Sequence, residues 1–167
     1  MVILYQSQTC PVNPPNASPI LTIDEVWEVM MLKCRKPELF VAPMSGSKVL
    51  EENPTFMKRS VTFKEGMGPP GGEVIEDLQI RKPWKVDFYN LDSGAFINNT
   101  VSQGKDDTDL SLTFYFEWPY PKLEEGSAET QKMEERLWGM AQETVQHTID
   151  YARDLARKGK LGKGLEL

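Results

Sequence analysis

Histidine and cysteine are nearly missing from this chain: His147, Cys10 and Cys34 are the only ones among 167 residues. Two thiols build no disulfide framework, and with one imidazole they supply no zinc-ligand spacing. A lone histidine without a cysteine or serine partner also makes no nucleophilic triad. Long apolar runs are absent, since nothing approaches the roughly 18 residues of a membrane span. The start, MVILYQSQTCPVNPP, has neither the basic end nor the apolar stretch of a secretion signal. Positive charge is scarce too: 19 Lys and Arg against 25 Asp and Glu leave a net charge of −6. Nucleic acid is therefore excluded as a partner, because phosphate binding needs a clustered positive field. The densest basic stretch, Arg153 to Lys163, falls where a helix C-terminus is expected and there complements the helix dipole. The loop GMGPPGG (66–72) lacks the lysine and the strand–helix setting of a phosphate loop, which leaves a hairpin or pocket lid. These absences point to a cytoplasmic protein with no metal, expected as a monomer or homodimer.

What is present reads as one α+β domain over 1–158, with a flexible, Gly/Lys-rich tail over 159–167. A first strand is expected at 3–12, with Pro11 marking an edge or bulge. The stiff connector NPPNASP (13–19) follows. Thr22 and Glu25 form a capping box at a helix start, bracketed by Leu21 and Val26 as a hydrophobic staple. Ile23, Val26, Trp27, Met30, Met31 and Cys34 give that helix one apolar face, Pro37 ends it, and PELFV (37–41) adds a short turn. From residue 47 the period changes to two. Strands are expected near 47–52, 55–64, 72–82, 84–91, 95–103 and 110–118, joined by short turns into an antiparallel meander that Pro119 and Pro121 stop. Ser127 caps a long amphipathic helix over 127–158.

The last strand sets the inward face: Leu110, Leu112, Phe114, Phe116 and Trp118 alternate with polar neighbours. Counting back through the hairpins sets Asn99 beside Phe114, Ile97 beside Phe116, Phe88 beside Ile97, and Trp84 beside Val101. Matching apolar residues across GMGPPGG pairs Val61 with Val74 and Met57 with Leu78, which places Arg59 opposite Glu76 on the inner face. Arg59, Glu76 and Asn99 thus project inward, with Thr144 and Thr148 approaching from the long helix. Trp84, Phe88, Phe114, Phe116 and Trp118 serve as core and pocket wall together.

A buried ion pair adds little net stability, so its presence in a cavity fits recognition of a polar ligand group. Arg59 can hold an oxyanion bidentately, and Glu76 can act as general acid or base if burial raises its pKa. The other reading is a cross-strand pair at a rim with both heads in water. Asn99 likewise either meets a ligand or satisfies neighbouring backbone.

The segments LTIDEVWEVMMLKCRKPELFV (21–41), MKRSVTF (57–63), VIED (74–77), INNTVSQG (97–104) and LSLTFYFEW (110–118) carry a resemblance. The chain is similar to the SRPBCC superfamily of birch-pollen-allergen, START and polyketide-cyclase-like proteins, and within it to the largely fungal AtaL-like branch. Trp27, Arg59, Glu76 and Asn99 match residues that branch members tend to show, and no catalytic set comes with them. The resemblance implies a helix-grip fold: a curved seven-stranded antiparallel sheet around the long C-terminal helix, with two short helices between strands 1 and 2. It also implies a hydrophobic cavity without a cofactor. Two functions follow as expectations. One is a cofactor-independent cyclase, isomerase or dehydratase of secondary metabolism in which Arg59 and Glu76 are catalytic. On that reading Glu76→Gln abolishes turnover with the melting temperature intact or raised. The other is a non-catalytic carrier of a lipid or polyketide-like ligand.

Overall fold

The computed structural model describes residues 1–68 and 71–165; Pro69 and Pro70 of the 66–72 loop, and the last two residues of the expected tail, lie outside them. Seven strands form one antiparallel sheet: β1 (Val2–Pro11), β2 (Met44–Asn53), β3 (Phe56–Phe63), β4 (Glu73–Arg81), β5 (Lys85–Asn90), β6 (Phe96–Gln103) and β7 (Leu110–Tyr120). Their spatial order is β1-β7-β6-β5-β4-β3-β2, so the six later strands are a plain meander and β1 closes one edge against β7. Helix α1 (Ile23–Arg35) and a 3-10 turn (Pro37–Leu39) carry the chain from the β1 edge to the β2 edge, and α2 (Ala128–Arg157) crosses the inner face.

Both helix starts follow local rules. Glu25 N–H donates to Thr22 Oγ1 at 3.3 Å while Thr22 N–H donates to Glu25 Oε2 at 2.8 Å, the reciprocal bonds of a capping box. Ser127 Oγ accepts from Thr130 N–H at 3.2 Å at the start of α2. On α2, Leu137, Ala141, Val145, Thr148, Ile149, Ala152 and Leu155 are buried, while Glu135, Gln142, Glu143, Gln146 and Asp150 face out. Arg153, at the head of the basic stretch, is buried and donates to the carbonyls of Val12 and Pro19. Arg157 donates to Ser18 at 3.1 Å. These arginines therefore bind the 13–19 connector to α2 as well as meeting the helix dipole.

The registers expected from the sequence are the ones observed. Arg59 pairs with Glu76, Val61 with Val74 and Met57 with Leu78. Asn99 pairs with Phe114 and with Val86, and Phe88 pairs with Ile97. On the outer face Lys58 Nζ lies 3.3 Å from Asp77 Oδ1.

Two expectations fail at element ends. Strand β7 runs through Pro119 to Tyr120, pairing with Ile3 and Val2. Its other neighbour β6 reaches only to Phe96, opposite Glu117. Beyond that point β7 is itself an edge, where a residue without an N–H costs nothing. At the C-terminus, Leu161 is buried and Gly162 N–H donates to Glu28 Oε2 at 2.7 Å, so the chain after α2 packs back on α1 instead of leaving the body. Among the described residues no helix is long and apolar enough to cross a membrane.

Candidate functional site

The packing of α2 is uneven along its length, and the gap it leaves is the site. From Ala141 onward the helix fills the hollow of the sheet, but in its first three turns only Thr130 and Leu137 are buried. A cavity of about 570 Å³ lies beneath that end. Phe88, Ile97, Phe116 and Trp118 wall it from the sheet, and Leu137, Met140 and Thr144 from α2. Met67 and Gly68 also line it. Phe116 stacks on Trp118 with ring centroids 4.5 Å apart and meets Phe114 edge-on at 6.4 Å.

The polar groups collect on one side of this apolar space. Arg59 and Glu76 are only 4% and 5% exposed, which excludes a water-facing rim pair. Arg59 Nε donates to Glu76 Oε2 at 2.8 Å and Nη2 approaches the same oxygen at 2.6 Å. Its Nη1 donates to the carbonyls of Lys33 at 2.9 Å and Cys34 at 2.7 Å, in the last turn of α1. Those carbonyls have no partner within the helix. Lys36 N–H takes Leu32 O at 2.7 Å and Ser47 Oγ takes Arg35 O at 2.8 Å, so the end of α1 is fully satisfied, half of it by Arg59. Of the five N–H groups of a guanidinium, three are thus hydrogen-bonded, and the two left are both on Nη2, which is ion-paired with Glu76. A bidentate grip on a ligand, open to Arg59 on sequence grounds, is not available to it. Glu76 keeps Oε1 outside both of its bonds to Arg59.

The sequence reading passed over Lys33. It is 7% exposed, lines the cavity, and holds its Nζ 3.7 Å from the centroid of the Phe114 ring. With the Asn99 amide turned to satisfy both of its ends, Oδ1 accepts from Lys33 Nζ at 3.1 Å and Nδ2 donates to Asn98 O at 3.3 Å. Asn99 therefore serves neighbouring backbone and the site at once. Burial pushes the Lys33 amine down to about 7 from 10.5, against upward pulls from Cys34 and Glu76 and with a further downward push from Arg59. The same burial raises the Cys34 thiol to about 11, which leaves it protonated and inert at neutral pH. A signal for Lys33 did exist: it lies three residues after Met30 and seven after Val26, on the apolar face. A basic residue in a last helical turn has a ready explanation in the dipole, and that hid it.

Three residues expected to meet a ligand do not reach the cavity. Trp84 is 42% exposed because β5 begins only at Lys85; Trp84 sits in the preceding turn, where strand alternation no longer aims its side chain. Its carbonyl accepts from Val101 N–H at 2.7 Å, so the expected backbone neighbour is right and the side-chain direction is not. Phe114 is 0% exposed and lies under Lys33 as core. Thr148 points to a separate small void with Val12, Leu21 and Leu112, and its hydroxyl donates to Thr144 O at 2.8 Å. Phe88, Phe116, Trp118, Asn99 and Thr144 do line the cavity with Arg59 and Glu76. His147 lies outside it, exposed, with Nε2 3.3 Å from Leu39 O.

The family model "AtaL: Acetylaranotin biosynthesis cluster protein L" matches residues 6–159. No curated protein matches the sequence. The fold is similar to the Zhui aromatase/cyclase from Streptomyces sp. R1128, with a TM-score of 0.67 and 11% identity over 98% of this chain and 100% of that one. It is also similar to the di-domain ARO/CYC StfQ from the steffimycin biosynthetic pathway, with a TM-score of 0.66 and 11% identity over 93% of this chain. This chain spans about half of that protein, 52%. The KanY protein gives a TM-score of 0.63 at 15% identity, over 91% of this chain and 99% of that one. At such identities the likeness shows the fold, the helix grip.

Proposed function

The chain belongs to the AtaL family, and from that membership and its cavity we propose a polyketide cyclase-like role in secondary metabolism. The protein takes a hydrophobic, carbonyl-rich intermediate into the cavity and carries out a cyclisation, isomerisation or dehydration with its own side chains. The observation that carries this reading is an apolar cavity of about 570 Å³ with an ion pair, an amine and an amide gathered on one side. That volume suits a small molecule, since ligand sites run from roughly 300 to 1,000 Å³. A lipid tail needs only the apolar walls. Charges cost free energy when taken from water, so their placement among those walls favours chemistry over carriage.

The roles follow from the geometry. Phe88, Phe116, Trp118, Leu137 and Met140 fold a flexible chain into one conformer, which lowers the entropic barrier to joining two of its carbons. Glu76 has Oε1 available to take a proton from a carbon flanked by carbonyls, or to return one to a leaving hydroxyl. Arg59 orients that carboxylate, and its Nη2 is the one nitrogen with an N–H left to offer a developing enolate oxygen.

Native mass spectrometry of the purified protein, followed by incubation with the extracted ligand, tests this. A captured compound converted by the wild type and left unchanged by Glu76→Gln is the expected result. A compound bound by both and converted by neither makes the protein a carrier. Full turnover by Glu76→Gln removes the proton-transfer role.

A further inference from the structure

Lys33 is not needed to explain the fold. A methionine or leucine at this point of α1 would pack against Phe114 without burying an amine. The groups around Nζ also fail to explain it as half of an ion pair. Arg59 faces it with the same charge, Cys34 is a protonated thiol on its own helix, and Glu76 gives its bonded oxygen to Arg59. Among the described residues no carboxylate lies within ion-pairing distance of Nζ, which has instead the Asn99 carbonyl oxygen at 3.1 Å and the face of a ring. An amine so placed stands at the edge of a cavity whose lining also includes Glu76, with its spare oxygen. At neutral pH a large share of it carries a lone pair, because burial has brought its pKa to about 7.

We propose that the Lys33 amine is a nucleophile that condenses with a carbonyl carbon of a β-dicarbonyl compound held in the cavity. This rests on the cavity being the ligand site. Nζ forms a bond to the carbonyl carbon, and the carbonyl oxygen takes up a proton to give a carbinolamine. That hydroxyl leaves as water while nitrogen loses its remaining protons, so one amine and one carbonyl give one imine and one water. Between two carbonyls the imine shifts a proton from carbon to nitrogen and becomes a conjugated enaminone. Glu76 Oε1 stands on the same side of the cavity to move these protons. An imine acidifies the adjacent carbon more than a ketone does, so the step serves the carbon–carbon bond formation proposed above. Water restores the free amine afterwards.

Acetylacetone is the probe. Incubated with the full chain it should give an enaminone with a new near-ultraviolet band. Intact mass should rise by one acetylacetone less one water, and peptide mapping should place the adduct on Lys33. The initial rate should climb through pH 7, whereas an ordinary surface lysine climbs toward pH 10.5. Lys33→Met should lose the band. Should that variant fail to fold, the peptide map of the wild type decides alone. Label spread over surface lysines, or a band equal in wild type and Lys33→Met, overturns the proposal. An environment-sensitive apolar fluorophore is titrated in parallel. Fluorophore bound with no adduct removes the nucleophile and keeps the cavity; neither bound removes both.

Discussion

Replacing Lys33 with methionine gives a sharp test, because the amine leaves a signature in stability that depends on pH. In the unfolded chain Lys33 titrates near 10.5, and in the folded protein near 7. Between those values the unfolded state binds more protons, so folding stability rises as pH rises, by up to about 1.4 kcal/mol per pH unit for one group. From pH 7 to pH 9 the unfolded chain loses about 2.7 kcal/mol of protonation free energy and the folded chain about 0.4, a net gain of about 2 kcal/mol. Below pH 7 both states are protonated and the penalty is constant. Above pH 9 Cys34 acts in the opposite direction, since its folded pKa is raised from 9.0 to about 11 and stability then falls with pH. The clean window is therefore pH 7 to 9. Urea unfolding of wild type and Lys33→Met at half-unit steps should show the variant the more stable at pH 7. That advantage should shrink by about 2 kcal/mol by pH 9. The change in the difference is diagnostic, and its absolute size is not. Methionine also leaves Asn99 Oδ1 unpaired and removes the contact over Phe114, both at a fixed cost. Parallel curves would mean that the amine stays protonated throughout, and the proposed nucleophile would lose its lone pair with it.

The ion pair and the wall residues give further tests. Glu76→Gln should lower stability by about 3 kcal/mol, because it strands a buried guanidinium; a melting temperature intact or raised, the outcome the enzyme reading of the sequence expects, would show that water reaches Arg59. Arg59→Met should cost more than Glu76→Gln, by about 2 kcal/mol or above, since it also bares the Lys33 and Cys34 carbonyls. Adding Glu76→Gln to Arg59→Met should then cost nothing more, and equal single-variant costs in urea would refute the capping role. Phe116→Ala should weaken binding of an apolar probe at least tenfold by fluorescence titration while Trp84→Ala leaves it unchanged; the reverse order would place the ligand outside the cavity.

The fold was legible because short-range rules carried most of it. Strict alternation from Leu110 to Phe116 fixed the inward face, and hairpin lengths then carried the register back to Phe88, Asn99 and the Arg59–Glu76 pair. The same counting misplaced Trp84, since alternation holds inside a strand and Trp84 stands one residue before β5. Pro119 looks like a stop because the sequence does not reveal that β6 ends opposite Glu117 and frees that edge. For the site, the polar residues on strands were visible because they interrupt an apolar period-two pattern. Lys33 was not, because a lysine at the end of a helix looks ordinary until the helix is docked. The docking is a long-range contact between α1 and β3, separated by 25 and 26 residues along the chain. No local pattern encodes it.

That docking also binds the stability of the fold to the placement of the amine. Arg59 Nη1 bonds the carbonyl of Lys33 itself, so the guanidinium that holds Glu76 also fixes the backbone from which the amine extends. A cation at the C-terminal end of a helix is favourable through the dipole, which offsets part of the cost of burying Arg59. Burying Lys33 beside it has no such offset large enough, as desolvation dominates its titration. The two bases are therefore unequal in kind. Arg59 stays charged, has its Nε and Nη1 donors committed to Glu76 and to the end of α1, and positions its neighbours. Lys33 has a single side-chain acceptor and releases its proton near neutrality, and it faces the cavity. Exchanging them would put an always-charged guanidinium over Phe114 and leave α1 with fewer donors for its last carbonyls. The arrangement works in one direction only, because the structural cation must never lose its charge and the reactive one must.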